Sequence, residues 1–178
     1  MVKKIKFYRN YNIKKRDQGS IILIGNFDGL HLGHQKLFNS AKILKRKEKL
    51  KIGVYTFDPT PKMFFFKNLK NYRISNLNQK LNLFQKFSVD FVINQKFNRK
   101  FSKVTCNNFI KKILFTKIKA KYIFVSNNFR FGFNREGDVK LLKSYEKKYN
   151  YNIIKPSPLK IKNKIISSTL IRNLLQNG

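Results

Sequence analysis

Residues 20–38 read "SIILIGNFDGLHLGHQKLF": an aliphatic run, a turn rich in glycine, then the start of an amphipathic stretch. Four consecutive apolar residues, Ile21 to Ile24, fit a strand covered on both faces, as strands of parallel sheets are. Gly25 ends the strand, and Gly29 and Gly33 allow tight or left-handed backbone angles in the turn. The spacing beyond it predicts a helix over 33–48, with Leu37, Ala41 and Leu44 on one stripe and Lys36, Lys42 and Lys47 turned elsewhere. A helix starting here aims its free backbone N–H groups at the crevice beyond the strand. That makes the turn an anion site.

The same alternation runs through the chain. Strands are expected at 20–25, 51–57, 90–94, 121–126 and 151–155, and helices at 33–48, 76–87, 105–117, 138–149 and 168–176. Helix 76–87 repeats the apolar stripe with Leu77, Leu81 and Phe84. The expected fold class is therefore α/β, an open parallel sheet of about five strands with helices on both faces. No repeat and no Pro- or Ser-rich linker divides the chain, so one domain over 1–178 is expected. The irregular stretches 58–75 and 127–138 each follow a strand, where ligands of open α/β sheets collect.

Forty Lys and Arg against eight Asp and Glu give a formal charge of +32, while 42% hydrophobic and 15% aromatic residues argue for a packed core rather than disorder. The lysines are spread through every segment instead of clustering. They read as a solvated basic surface more readily than as a nucleic-acid face, and would still draw in polyanionic small molecules. The single Cys106 has no Cys or His neighbour at metal-ligand spacing and reads as core filler in a reducing compartment. The basic start lacks the apolar run of a signal peptide, and "IILI" is too short to span a bilayer. A cytoplasmic monomer without a membrane partner is expected.

His31 and His34, the only two histidines, flank the first helix start. Imidazoles placed there can donate hydrogen bonds to phosphate oxygens whose charge grows during displacement at phosphorus. A purely structural role is the plainer alternative. A zinc pair would need further Cys or His ligands, and no protein-held metal is expected. Asp28, the nearest carboxylate, could orient the turn or a metal shell, or accept from backbone N–H groups; both readings stand.

Three further stretches carry chemistry. "YTFDPTPKMFFF" at 55–66 holds a rigid turn, Asp58-Pro59-Thr60-Pro61, before a phenylalanine run that suits a core as well as a ligand wall. "VSNNFRFGFNREGD" at 125–138 is a glycine-bearing loop with cationic Arg130 and Arg135. In "IISSTLIRNLL" at 165–175, Ser167, Ser168 and Thr169 form an N-cap cluster with Arg172 one turn in. Such a start would grip phosphates, and an ordinary capped terminal helix fits equally well.

"GNFDGLHLGH" resembles the signature of the HxGH nucleotidyltransferases, and its "GNFDG" form is similar to the FAD synthetase module of bacterial riboflavin kinase/FMN adenylyltransferase proteins. The four stretches follow that family's order over 24–175. The resemblance implies a Rossmann-like nucleotidyltransferase fold and adenylyl transfer from ATP to FMN, with Mg²⁺ accompanying ATP and no covalent enzyme intermediate. It implies catalytic roles for His31, His34 and Arg172. It implies ATP contacts at Gly25, Asn26, Phe27, Asp28, Gly33, Asn128, Ser167, Ser168 and Thr169, and flavin contacts at Phe57, Pro59, Thr60, Phe129 and Phe131. Thr60 stands where the family commonly has His, and Ser126 where it usually has Gly. With the sequence ending at Gly178, the kinase barrel of bifunctional members is expected to be absent and FMN to come from elsewhere. Two other readings remain: a sibling transferase using another phosphorylated acceptor, which "TFDPTP" and "FRFG" disfavour, and a basic nucleic-acid-binding protein that kept the fold.

Overall fold

The computed structural model describes residues 4–69, 72–161 and 164–176. The ends of the expected 1–178 domain, residues 1–3 and 177–178, thus lie outside the described residues. Five strands fall where the apolar runs predict them: β2 (Ile21–Ile24), β3 (Ile52–Asp58), β4 (Phe91–Lys96), β5 (Tyr122–Phe124) and β6 (Asn152–Ile154), with β1 (Lys6–Tyr8) preceding them. The expected open parallel sheet is present, with six strands in the order β1-β4-β3-β2-β5-β6 against the expected about five. The extra strand is three residues of a basic segment, and it pairs because the edge of β4 offers free backbone groups, not because its side chains form an apolar run.

The helices are α1 (Leu32–Glu48), α2 (Pro61–Phe65), α3 (Leu77–Lys86), α4 (Arg99–Ser102), α5 (Cys106–Asn108), α6 (Val139–Ser144), α7 (Glu146–Tyr149) and α8 (Ser168–Gln176). A π-helix, Phe109–Ile118, continues α5, so the stretch expected as one helix over 105–117 is α-helical for only one turn. The stretch 138–149 breaks at Tyr145 into α6 and α7. A short hairpin, β7 (Lys160–Ile161) and β8 (Lys164–Ile165), leads into α8.

All four residues of β2 are buried, because alternate side chains enter two separate cores. Ile21 and Leu23 pack with Val54, Val92 and Phe124 against Leu37, Phe38 and Ala41 of α1 and Phe84 of α3. Ile22 and Ile24 pack with Tyr55, Ile93 and Ile123 against Ile110, Ile113 and Leu114 of the π-helix and Leu142 of α6. Each fully buried side chain of this kind stabilises the fold by about 1.5–3 kcal/mol, so covering one face only would forfeit half of what β2 contributes. Cys106 sits in the second core with its thiol reduced, and burial raises its pKa.

From β2 the chain winds through β3 and β4 to one side, then returns to place β5 and β6 on the other. The order reverses between β2 and β5, and the space beyond the carboxyl ends of those two strands is where such sheets bind ligands. The signature turn follows β2, and the 125–138 loop follows β5.

The opposite end of the sheet is closed by an ion cluster. Asp17 is fully buried and accepts from Lys51 at 2.7 Å, Tyr8 Oη at 2.6 Å and Lys6 at 3.1 Å, tying β1 to the start of β3. Burial alone would raise its pKa, but these hydrogen bonds outweigh burial and hold it at about 2. A depressed carboxylate contributes stability above its unfolded pKa of about 3.9, and that contribution is lost as pH falls through the folded value. Asp17→Asn is expected to cost about 2 kcal/mol at pH 7, less than breaking a fully buried pair because both lysines reach water. Urea titrations should show the gap from wild type narrowing between pH 4 and 2. Among the described residues no helix is long and apolar enough to cross a membrane.

Candidate active site

The turn after β2 is built around a buried aromatic. Phe27 adopts φ of +47° and drives its ring into the first core, against Phe38 at 5.1 Å and Phe84 at 6.1 Å, so only its backbone faces the crevice. Gly29 takes φ of +77°, and a Cβ there would sit 2.8 Å from Ile74 Cγ2. Of the tight or left-handed angles expected at the two glycines, the left-handed one falls at Gly29 and not at Gly33. The missing side chain of Gly33 leaves room for the His31 ring and the Ile166 carbonyl, which a Cβ would meet at 3.2 and 3.3 Å.

α1 begins at Leu32, one position ahead of the expected start, with His31 as its N-cap residue and His34 three residues on. The i, i+3 spacing stacks the two imidazoles, with centroids 3.7 Å apart and planes inclined by 24°. The edge of Phe27 supports His34 at 5.2 Å. Both rings are half-buried, and the Nδ1 atom of each is inaccessible with no hydrogen-bond partner among the described residues. Burial lowers both pKa values. His34 is held at about 3 by burial and then by His31 beside it, against a weaker upward pull from Asp28. Both imidazoles are therefore neutral at pH 7.

Asp28 ties this turn to two distant segments. Its carboxylate accepts from the backbone N–H groups of Ile74 and Ser75, each at 3.0 Å, and from the Arg172 guanidinium at 2.9 Å. Of the two roles left open for Asp28, the geometry carries the second: its oxygens serve backbone donors and an arginine. Arg172 also donates through Nε to the Tyr72 carbonyl at 2.9 Å and lies 4.0 Å over the Tyr72 ring. Ser168 Oγ donates to the Asp28 carbonyl at 2.9 Å, while Ser167 caps α8 by accepting from Leu170 N at 3.2 Å. The α8 N-terminus is thus docked beside the first turn of α1. Thr169 is exposed there.

The other expected contact residues divide. Gly25 and Asn26 lie on the turn, and Phe57 and Pro59 at the end of β3 are partly exposed. Thr60 is buried and caps α2 by accepting from Met63 N at 3.4 Å, so its hydroxyl is already engaged. Phe131 is buried in the second core against Phe109, while Phe129 stacks on it from a half-buried position. Asn128 is exposed after β5 and accepts from Ser126 Oγ at 3.0 Å. The turn, α8 and the 72–75 segment are in contact, and no hydrogen bond joins Asn128 to them among the described residues.

Sequence reasoning missed Tyr72, the Ile74–Ser75 backbone and Lys80. Backbone donors leave no mark in a side-chain pattern, and a lysine in an amphipathic helix reads as solvent-facing. Here Lys80 is 5% exposed, and its ammonium donates to the Asn26 carbonyl at 3.3 Å. Arg73 beside it pairs with Asp58. Among the described residues no three His, Cys, Asp or Glu side chains come together as a metal site, and Asp28 is already occupied by its donors. The described residues do not build a resident Mg²⁺ centre.

The chain resembles known proteins throughout this region. It is 42% identical over 168 residues to a bifunctional riboflavin kinase/FMN adenylyltransferase of Buchnera aphidicola subsp. Acyrthosiphon pisum, covering 94% of this chain and 54% of that protein. It is 28% identical over 166 residues to an FAD synthetase of Listeria monocytogenes, covering 92% and 66% respectively. A solved structure described as a macrolide-efflux protein from Streptococcus pneumoniae superposes with a TM-score of 0.81 at 26% identity, over 96% of this chain and 55% of that one. The chain spans about half the length of the bifunctional relatives it matches. A family-model match that runs from Ile13 to Leu170, through the turn, the loops after β3 and β5 and the start of α8, makes the chain a member of the FAD synthetase family.

Proposed function

We propose that the chain transfers the adenylyl group of ATP to FMN. An oxygen of the FMN phosphate attacks the α-phosphorus of ATP. The bond from that phosphorus to the oxygen bridging to the β-phosphate breaks, and pyrophosphate leaves with the electron pair. The observation that carries this reading is the pair of stacked imidazoles at the start of α1, their Nδ1 atoms without a partner among the described residues, beside a turn that Asp28 ties to Arg172 and Ser168 of α8. Such chemistry is mostly positioning and charge neutralisation, and this arrangement offers both.

In this reading His31, His34 and the backbone N–H groups of the Asn26–Asp28 turn oppose charge growing on the α-phosphate. Ser167, Ser168, Thr169 and the α8 N-terminus hold the departing pyrophosphate. Arg172 spends one donor on Asp28 and one on Tyr72, and a guanidinium has five. Gly25 and Gly33 let the nucleotide approach the backbone, and Asn128 serves the ribose or adenine edge. With Thr60 and Phe131 turned inward, Phe57, Pro59 and Phe129 are left to wall the flavin. Mg²⁺ enters as part of the substrate, Mg·ATP. We read the enzyme as a cytoplasmic monomer whose basic surface draws in anionic substrates rather than nucleic acid.

The neutral histidines make a distinct expectation. Phosphate oxygens placed against them favour the imidazolium form, so ATP binding should take up protons and strengthen as pH falls through the bound-state pKa. The binding enthalpy should then vary with the ionisation enthalpy of the buffer; the same heat in every buffer at pH 7 would remove the coupling. The reaction itself is tested by supplying FMN and Mg²⁺ with either ATP or CTP and separating the products. FAD from ATP alone is expected. A cytidylyl product, or preferred transfer to another phosphorylated acceptor, would overturn the assignment.

A further inference from the structure

Lys80 is a charged side chain that an apolar one of similar size would replace at no desolvation cost. Its surroundings suggest why the charge is kept. The site's two arginines each hold a carboxylate, Arg172 with Asp28 and Arg73 with Asp58, whereas Lys80 has no ion-pair partner among the described residues. Its ammonium carries three donors and meets one protein acceptor among those residues, the Asn26 carbonyl. Thr56, itself fully buried, donates to the same oxygen at 3.4 Å.

A trans peptide is planar, so its C=O and the following N–H point in opposite directions. Drawing the Asn26 oxygen inward therefore turns the Phe27 N–H outward, to the side on which Asn26 is exposed. Among the described residues that N–H has no acceptor. The arrangement is held against strain, because Phe27 sits at φ of +47°, a conformation unfavourable for a non-glycine residue. Its buried ring prevents the backbone from relaxing. Beneath Asn26, the side chains of Thr56 and Lys80 add their hydrogen bonds to that restraint.

We propose that Lys80 is a positioning residue for the phosphate-binding turn: its ammonium fixes the Asn26–Phe27 peptide so that the Phe27 N–H meets a nucleotide phosphate. The proposal rests on the adenylyl-transfer reading, and it gives Lys80 a role through the turn rather than in contact with substrate. Burial lowers the pKa of Lys80 and Arg73 adds to this, while Asp28 and Asp58 pull it back up. The two carboxylates thereby help keep the ammonium charged.

Two readouts test it. In ¹H–¹⁵N spectra of the wild-type chain, a non-hydrolysable ATP analogue should move the Phe27 amide downfield. Lys80→Met should fold, lose that shift and lower kcat for FAD formation about 30- to 100-fold, within the range for loss of an oxyanion donor, with KM for FMN changed less than about threefold. Lys80→Arg should restore most of the rate, and Thr56→Val should weaken the amide shift in part. A Phe27 amide unmoved by the analogue in wild type overturns the proposal whether or not any variant folds. So does a folded Lys80→Met with wild-type shift and kcat. Wild-type protein that shows the amide shift yet makes no FAD instead contradicts the reaction while leaving the role of Lys80 supported.

Discussion

Replacing His34 with alanine should lower kcat for FAD formation by about 10²-fold or more, the scale for removing one preorganised donor from a developing oxyanion. The ring is half-buried at the first turn of α1, stacked on His31 and braced by Phe27, so its direction is set before substrate arrives. Alanine is the best helix former and leaves the buried stripe of Leu37, Phe38 and Ala41 untouched. The loss should therefore appear in turnover and not in folding. KM for ATP should change less than kcat, because the donor matters most when charge on the α-phosphate has grown. Comparable turnover in His31→Ala and His34→Ala alongside wild type would remove the imidazoles from the mechanism.

Asp28→Ala is the second large effect. The carboxylate is 5% exposed and serves the N–H groups of Ile74 and Ser75 together with Arg172. Alanine would strand two backbone donors and a guanidinium. Each buried unsatisfied group costs about 1–3 kcal/mol, and partial access of water to Arg172 keeps the total near 3 kcal/mol. The same change removes the Arg172 tie between α8 and the signature turn and leaves the Ser168 bond to the Asp28 carbonyl, so most FAD-forming activity should go with it. Asp28→Asn keeps one acceptor oxygen and should lie between alanine and wild type. Urea unfolding measures the first effect and steady-state kinetics the second; an Asp28→Ala chain as stable and active as wild type would show that the tie organises nothing.

Much of this architecture could be read before any coordinates. The apolar runs placed five strands within about two residues, because a strand covered on both faces has to be apolar at every position, as Ile21 to Ile24 are. β1 escaped because Lys6, Phe7 and Tyr8 have no such run; its pairing depends on the neighbouring edge. The π-helix escaped because Phe109, Ile110, Ile113 and Leu114 follow a spacing that an α-helix would bury equally well.

Within the site, the turn, the histidine pair and the capped start of α8 were legible because side-chain type and spacing mark them. The partners of Asp28 were not. Two are backbone N–H groups 46 and 47 residues away, and the third is Arg172, 144 residues distant. Lys80 was hidden for a different reason: only the closing of α3 over the turn makes its position interior. Thr60 and Phe131 match the family's order, yet their side chains face a helix cap and the core.

In the proposed reaction ATP's phosphates gather between the α1 imidazoles and the start of α8 while FMN displaces pyrophosphate. Phosphorus NMR of the purified chain with Mg·ATP and FMN follows every group at once. The FMN monoester signal should give way to the paired diphosphate signals of FAD, with one pyrophosphate released for each ATP consumed. Release of inorganic phosphate and ADP, or an FMN signal that persists while ATP is intact, would contradict the account.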